Sequence, residues 1–221
     1  MQIFKRLFVY ALGLFILSIG VVFSARCNLG ASPIGAVPLA LSQTTGITLG
    51  ACSMYSMLFC IALQIIMLRK KYKWINITQI FTSILFGGYV FVAEKLMLMI
   101  SDLNPSSLVE QSIYLILSII CIGFGVYLYL KGRLVNLPAD GVFVVIHQKF
   151  GFSIPNSKII FDMSFALLSM LITLIFLGGI TAVGIGTFVS VIFVGKFIGL
   201  VHKFLEEPIN HFLGVNQVAT N

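Results

Sequence analysis

Acidic side chains are scarce in this chain: seven Asp and Glu stand against fourteen Lys and Arg, and charged residues make up only 10% of 221 positions. A soluble domain carries roughly a quarter charged residues, so a soluble globular fold is excluded. The excess of cations would suggest nucleic acid in a soluble protein. Here most of them fall in short segments between apolar runs, so no nucleic-acid partner is expected. Cysteine is also sparse. Cys27, Cys52, Cys60 and Cys121 show no C-x-x-C and no paired spacing, which argues against a disulfide framework. They read as small packing residues, with Cys27, near a membrane face, the one worth testing for reactivity. His147, His202 and His211 are scattered and no H-E-x-x-H occurs, so no metal site and no cofactor are expected. No Ser-His-Asp set, carboxylate pair or phosphate-cradling loop can be assembled. His147 reads as an interface side chain, and the chain as no enzyme.

Apolar residues dominate instead, at 59%, with a mean hydropathy of +1.07. The class is an all-α polytopic membrane protein. Six runs are long enough to span a bilayer: Phe4–Ala25, Ala51–Leu68, Ile75–Met99, Ser112–Leu130, Ser157–Leu177 and Ile185–Phe204. Two shorter segments, Pro33–Thr45 and Pro138–Phe150, cover about 20 Å each as helices, too little for a ~30 Å core. The first run follows Lys5-Arg6 as a signal peptide would. It reads as a retained helix, because its repeat mate Ser112–Leu130 lies in mid-chain.

That mate belongs to an internal repeat. Shifting the sequence by 105 residues lays Gly20–Gly50 on Gly125–Pro155 without a gap. Gly20/Gly125, Val21/Val126, Leu29/Leu134, Pro33/Pro138, Val37/Val142, Gln43/Gln148 and Gly46/Gly151 are identical, and Arg26 lies on Lys131. Each copy has an apolar helix ending in a cation, a turn, and a Pro-initiated segment closing with Gln-x-x-Gly. The expected organisation is repeat 1 over 1–104, repeat 2 over 105–205, and a mixed, frayed tail over 206–221. The polar turn Asn104–Ser107 separates the copies.

Loop charge sets the expected topology. With the N-terminus cytoplasmic and the short segments non-spanning, the inside collects Lys5, Arg6, Arg69, Lys70, Lys71, Lys73, Lys131, Arg133, Lys149, Lys158 and Lys203. The outside keeps Arg26 and Lys95, beside Glu94, Asp102 and Glu110. This bias obeys the positive-inside rule. Three spans per copy is an odd number, so the two copies are expected to be inverted. Inverted repeats with discontinuous helices are a common transporter plan.

The candidate residues follow from this plan. Ser32 reads as the N-cap of the first short helix and Pro33 as its first residue. Pro38 is expected to kink or break it. Asp140, two residues after Pro138, can cap the second short helix or face a ligand with it. Gln43 and Gln148 can serve backbone groups or a ligand. Ser32, Gln43, Asp140 and Gln148 are therefore the candidate ligand-binding residues. Asp162, Lys196 and Lys158 are intramembrane charges. Asp162 and Lys196 lie at similar depth and are expected to pair, with Lys158 competing at i−4. The mates of Asp140, Asp162 and Lys196 are Gly35, Met57 and Phe91, so the charge sits in one copy. Gly195-x-x-x-Gly199 reads as a packing signal, and Gly87-Gly88 and Gly184-x-Gly186 as turns or flexible helix entries. Thr82 and Thr187 are mates whose hydroxyls can bond their own helix backbone.

Asn28-Leu29-Gly30-Ala31-Ser32-Pro33 with Leu41-Ser42-Gln43-Thr44-Thr45-Gly46, then Pro138-Ala139-Asp140-Gly141, then Gly184-Ile185-Gly186-Thr187 resemble the signatures of the YczE/YyaS/YitT group of bacterial membrane proteins, nearest its YczE branch. The resemblance covers roughly residues 5–205 and implies a bacterial inner-membrane location. It departs where the group often carries Asp two residues after the first Pro and this chain has Gly35. The functional expectation is a small-molecule transporter or channel with a site between the short segments. The alternative is a membrane scaffold or accessory subunit. Expected partners are the lipid bilayer, a small-molecule ligand, and a protein partner or second copy.

Overall fold

Proline at the start and glycine past the end delimit the two short helices, and these anchor the layout. The computed structural model describes residues 2–69, 72, 74–100 and 105–214. Eight α-helices follow in order: α1 Gln2–Arg26, α2 Pro33–Thr45, α3 Leu49–Leu68, α4 Thr78–Ile100, α5 Leu108–Gly132, α6 Pro138–Phe150, α7 Ile154–Leu177 and α8 Ile185–Leu213. A 3-10 turn, Trp74–Ile77, precedes α4. No strand occurs among the described residues. The six long helices are apolar and long enough to cross a membrane. The protein is a multi-pass helical membrane protein. Lys70, Lys71, Lys73, Asp102 and the Asn104 end of the expected boundary lie outside the described residues.

Both short helices end at Gly in the left-handed region, Gly46 with φ 72° and Gly151 with φ 75°. There the glycine N–H bonds the carbonyl of Ser42 and of His147, a closure that costs glycine no Cβ clash. α2 runs through Pro38 without a break, so the break expected there does not occur. Only one intrahelical N–H is lost, and α2 is held from outside by α7, where Ser169 Oγ donates to the Ala36 carbonyl at 3.0 Å. α8 continues past Phe204 to Leu213, so 206–213 of the expected tail is helical.

α1 and α5 form the central pair. Close contacts run from Arg6 against Gly132, through Gly13 against Gly125, to Gly20 against Cys121 and Ile122. One number rises as the other falls, so the helices are antiparallel. A Cβ on Gly20 would sit 2.7 Å from the Ile122 nitrogen, and one on Gly125 2.5 Å from the Leu17 nitrogen. These two contacts exchange under the 105-residue shift. The short helices cross between copies: α2 packs on α7 and α6 on α3. Gln64, the mate of Ser169, does for α6 what Ser169 does for α2. Its Nε2 donates to the Pro138 carbonyl at 2.9 Å and to Gln79 Oε1 at 3.0 Å. The terminal cations also match, Arg26 pairing with Glu94 at 2.7 Å and Lys131 with Glu206 at 3.1 Å. Lys5 lies over the Phe212 ring, so both ends of the described chain share the Lys131 end of the bundle.

One pairing breaks the likeness. α3 and α4 pack closely, with Gly50 and Gly87 backbone to backbone; a Cβ on Gly50 would meet the Gly87 carbonyl at 2.6 Å. Gly87 thus lies inside α4 as a packing residue, rather than at a helix entry. Their mates are Pro155 and Ile192, and α7 and α8 scarcely touch. Gly195 and Gly199 meet nothing within 4 Å, so their small-residue face is unpacked within the chain.

Candidate functional site

The space between α7 and α8 is a cavity of about 350 Å³, walled also by α1, α5 and the starts of α2 and α6. It is the size of a small-molecule site. Its walls are largely apolar, with Ser32, Asn136, Asp140, Lys158, Asp162 and Ser190 as polar points. A cleft of about 850 Å³ adjoins it between α3, the start of α4 and α6, lined by Gln64, Asn76, Gln79, Gln148 and Lys149. Asn136 and Val144 line both spaces.

Ser32 and Asp140 therefore meet in one cavity, each brought there by the N-terminal end of a short helix. The connecting segments fold back into the bundle: Ala31 and Leu137 are fully buried, while Thr45 and Phe150, at the far ends of these helices, are exposed. Ser32 does not cap α2 with its side chain. Its N–H is held by Ser24 Oγ, and its own hydroxyl is buried with no hydrogen-bond partner among the described residues. Asp140 makes no capping bond to α6 either. It is half-buried, enclosed by protein but facing the cavity. Burial pushes its carboxyl up to about 6; Lys158 opposes that rise and Asp162 adds to it. Tyr10 of α1 and Cys60 of α3 also face it electrostatically.

The expected pair of Asp162 with Lys196 is not formed. Asp162, 5% exposed, pairs with Lys158 at 2.9 Å, one turn back on α7. Equal depth places two residues at one height but says nothing of azimuth. On α8 the residues facing the cavity are Ser190, Val191, Val194, Gly195 and Ile198, a helical stripe. Lys196 falls off that stripe, is exposed, and lies over the Phe193 ring.

The two glutamines separate. Gln148 lines the cleft. Gln43 lies in neither space and accepts from Thr181 Oγ1 at 2.7 Å. Thr82 bonds its own helix at the Gln79 carbonyl, whereas Thr187 crosses to the Ala31 carbonyl. Cys27 is fully buried, and its thiol donates to the Ser24 carbonyl. Burial raises its pKa, so it is no reactive thiol. His147 Nδ1 is engaged by the Phe152 carbonyl beyond the helix end. Asn136, Ser190 and Gln64 escaped the sequence reading. Gln64 is a buried amide inside a spanning helix, a signal that was available.

The fold and the cavity define a helical membrane protein with an ionisable pocket formed where two short, non-spanning helices begin. The chain belongs to a family of unknown function (DUF6198), matched over residues 4–203. It is 27% identical over 210 residues to "Uncharacterized protein YyaS" of Bacillus subtilis (strain 168), covering 94% of this chain and 96% of that one. It is 26% identical over 196 residues to an "Uncharacterized protein" of Haemophilus influenzae (strain ATCC 51907 / DSM 11121 / KW20 / Rd), covering 88% and 82%. No solved structure matches.

Proposed function

We propose that the protein is a small-molecule transporter or channel of the bacterial inner membrane, built from two inverted copies, with its site where the two short helices begin. The observation that carries this is the 350 Å³ cavity bearing Ser32 from one copy and Asp140 from the other. The antiparallel α1–α5 pair and the exchanged short helices support inversion of the copies. Sites at the starts of discontinuous helices suit this plan, because free N–H groups and buried side chains converge there. The Lys131 end, with Lys5, Arg6, Arg133 and both ends of the described chain, is the cytoplasmic face by the positive-inside rule.

Flux into proteoliposomes across a broad panel of metabolites tests the reading. The wild type is expected to move at least one class of solute, and Asp140→Asn to slow it at least tenfold. A wild type that moves nothing defeats transport. Cysteine placed at 72 is expected to label from the cytoplasm and at 104 from outside; the reverse defeats the topology. A second reading, a membrane scaffold for another protein or a second copy, draws support from the open Gly195/Gly199 face of α8.

A further inference from the structure

We infer that the α7–α8 cavity takes a small organic monocation with an apolar body, its ammonium held between Asp140 and Ser32. The inference rests on the reading of this cavity as the site and adds the class of ligand.

Charge comes first. The polar points are two carboxylates against one ammonium. Lys158 is committed to Asp162 at 2.9 Å. Among the described residues Asp140 has no ion-pair or hydrogen-bond partner, and the N-cap positions of the two helices are Leu137 and Ser153 rather than either carboxylate. A charge held among apolar walls is costly unless paired. The cavity therefore lacks one positive charge, and an entering ammonium supplies it. The starts of α2 and α6 would by themselves favour an anion. An anion here would have to sit against Asp140, with Lys158 already occupied.

The second observation is independent of that count. Ser32 Oγ is buried without a partner among the described residues on the wall contributed by α2. A hydroxyl so placed accepts an N–H, which a small ammonium between the helix starts can give. A buried polar group left unmade costs free energy that a fitting ligand recovers. The third is shape. The remainder of the wall is aliphatic and aromatic, with Phe143, Val191, Val194 and Ile198. Phe143 already stacks beneath a cation, Lys158 at 5.8 Å, and its face can take a second.

The experiment uses three ligands with one apolar body and different heads: 2-phenylethylamine, 3-phenylpropanoate and 2-phenylethanol. Binding to the purified full chain in detergent is measured by calorimetry and by thermal shift. The amine is expected to bind at least tenfold more tightly than the acid or the alcohol. Asp140→Asn is expected to remove that preference, and Ser32→Ala to weaken the amine several-fold. Val194→Trp fills the apolar half with Asp140 intact and is expected to block binding at an unchanged elution profile. Equal binding of the three heads, preference for the acid, or binding of none overturns the inference. Binding is read without flux, so an amine that binds leaves the site standing even where the wild type moves nothing across the panel and transport falls. Flux of an anion does the reverse.

Discussion

The two ends of the bundle carry matching residues in opposite states. At the Arg26 end the segment before α2 is sewn to the start of α8. Ala31 N–H donates to the Ala182 carbonyl at 2.9 Å, Gly186 N–H to the Leu29 carbonyl at 2.7 Å, and Thr187 Oγ1 to the Ala31 carbonyl at 2.6 Å. Thr181 and Gln43 bridge the rim. At the Lys131 end the mates are Asn136 with Ile77, Phe81 with Leu134, Thr82 with Asn136, and Asn76 with Gln148. Among the described residues none of these pairs forms its bond, and the 850 Å³ cleft occupies the place. The cause is in the side chains. Gly30, Gly184 and Gly186 meet backbone to backbone at the closed end, and a Cβ on Gly186 would lie 2.9 Å from the Leu29 carbonyl. Their mates are Val135, Gln79 and Phe81; Gln79 is turned to Gln64 and Phe81 is exposed. The closed end is thus built on glycine, and at the open end side chains stand in those places. The expectation that follows is approach to the cavity from the Lys131 side.

The sharpest break of this comparison is Gly30→Ala. Gly30 has φ 99° and its missing Cβ points at Gly184 backbone, so the change is expected to cost about 3 kcal/mol or more. The mate change Val135→Gly is expected to cost about 1 kcal/mol. Thermal unfolding of the purified protein measures both, and equal effects would remove the distinction between the ends. Next come the residues that hold each short helix. Gln64→Leu loses two bonds and leaves the buried Gln79 Oε1 without its donor, an expected cost of about 2–3 kcal/mol, against about 1 kcal/mol for Ser169→Ala.

Proton competition at Asp140 is smaller and has a defined sign. A cation needs the ionised carboxylate, and the folded protein holds that carboxyl at about 6. Amine affinity is expected to be flat above that pH and to fall roughly tenfold per pH unit below it. Asp140→Asn is expected to flatten the profile, which calorimetry at a series of pH values reads directly. The smallest effects belong to the terminal ion pairs. Arg26→Ala and Lys131→Ala are each expected to cost about 1 kcal/mol or less, since both pairs are partly solvated.

Much of the fold was legible because it is written in local chemistry. Pro at the first helical position and Gly just past the last one placed Pro33–Thr45 and Pro138–Phe150 to the residue. Apolar length placed the six long helices to within a few residues at most ends. The site was legible only in part. Ser32 and Asp140 do share a cavity, but Gln148 faces the neighbouring cleft and Gln43 a threonine at the other end. The Asp162–Lys196 pair failed because depth along a helix carries no azimuth. The exchange of α2 and α6 between copies is a long-range packing outcome, and no local pattern announces it. The closed end was visible in principle, in Gly184-x-Gly186 against Gln79 and Phe81, but only to a mate-by-mate comparison of side-chain size.

Access to the cavity is the claim on which the account turns. Cysteines at Asn136 and Val194, placed one at a time, can be treated with a membrane-impermeant thiol reagent from each face of sealed vesicles. Both are expected to react from the Lys131 face and neither from the Arg26 face. Labelling of Val194→Cys from the Arg26 face would contradict a closed end there, and the one-sided site with it.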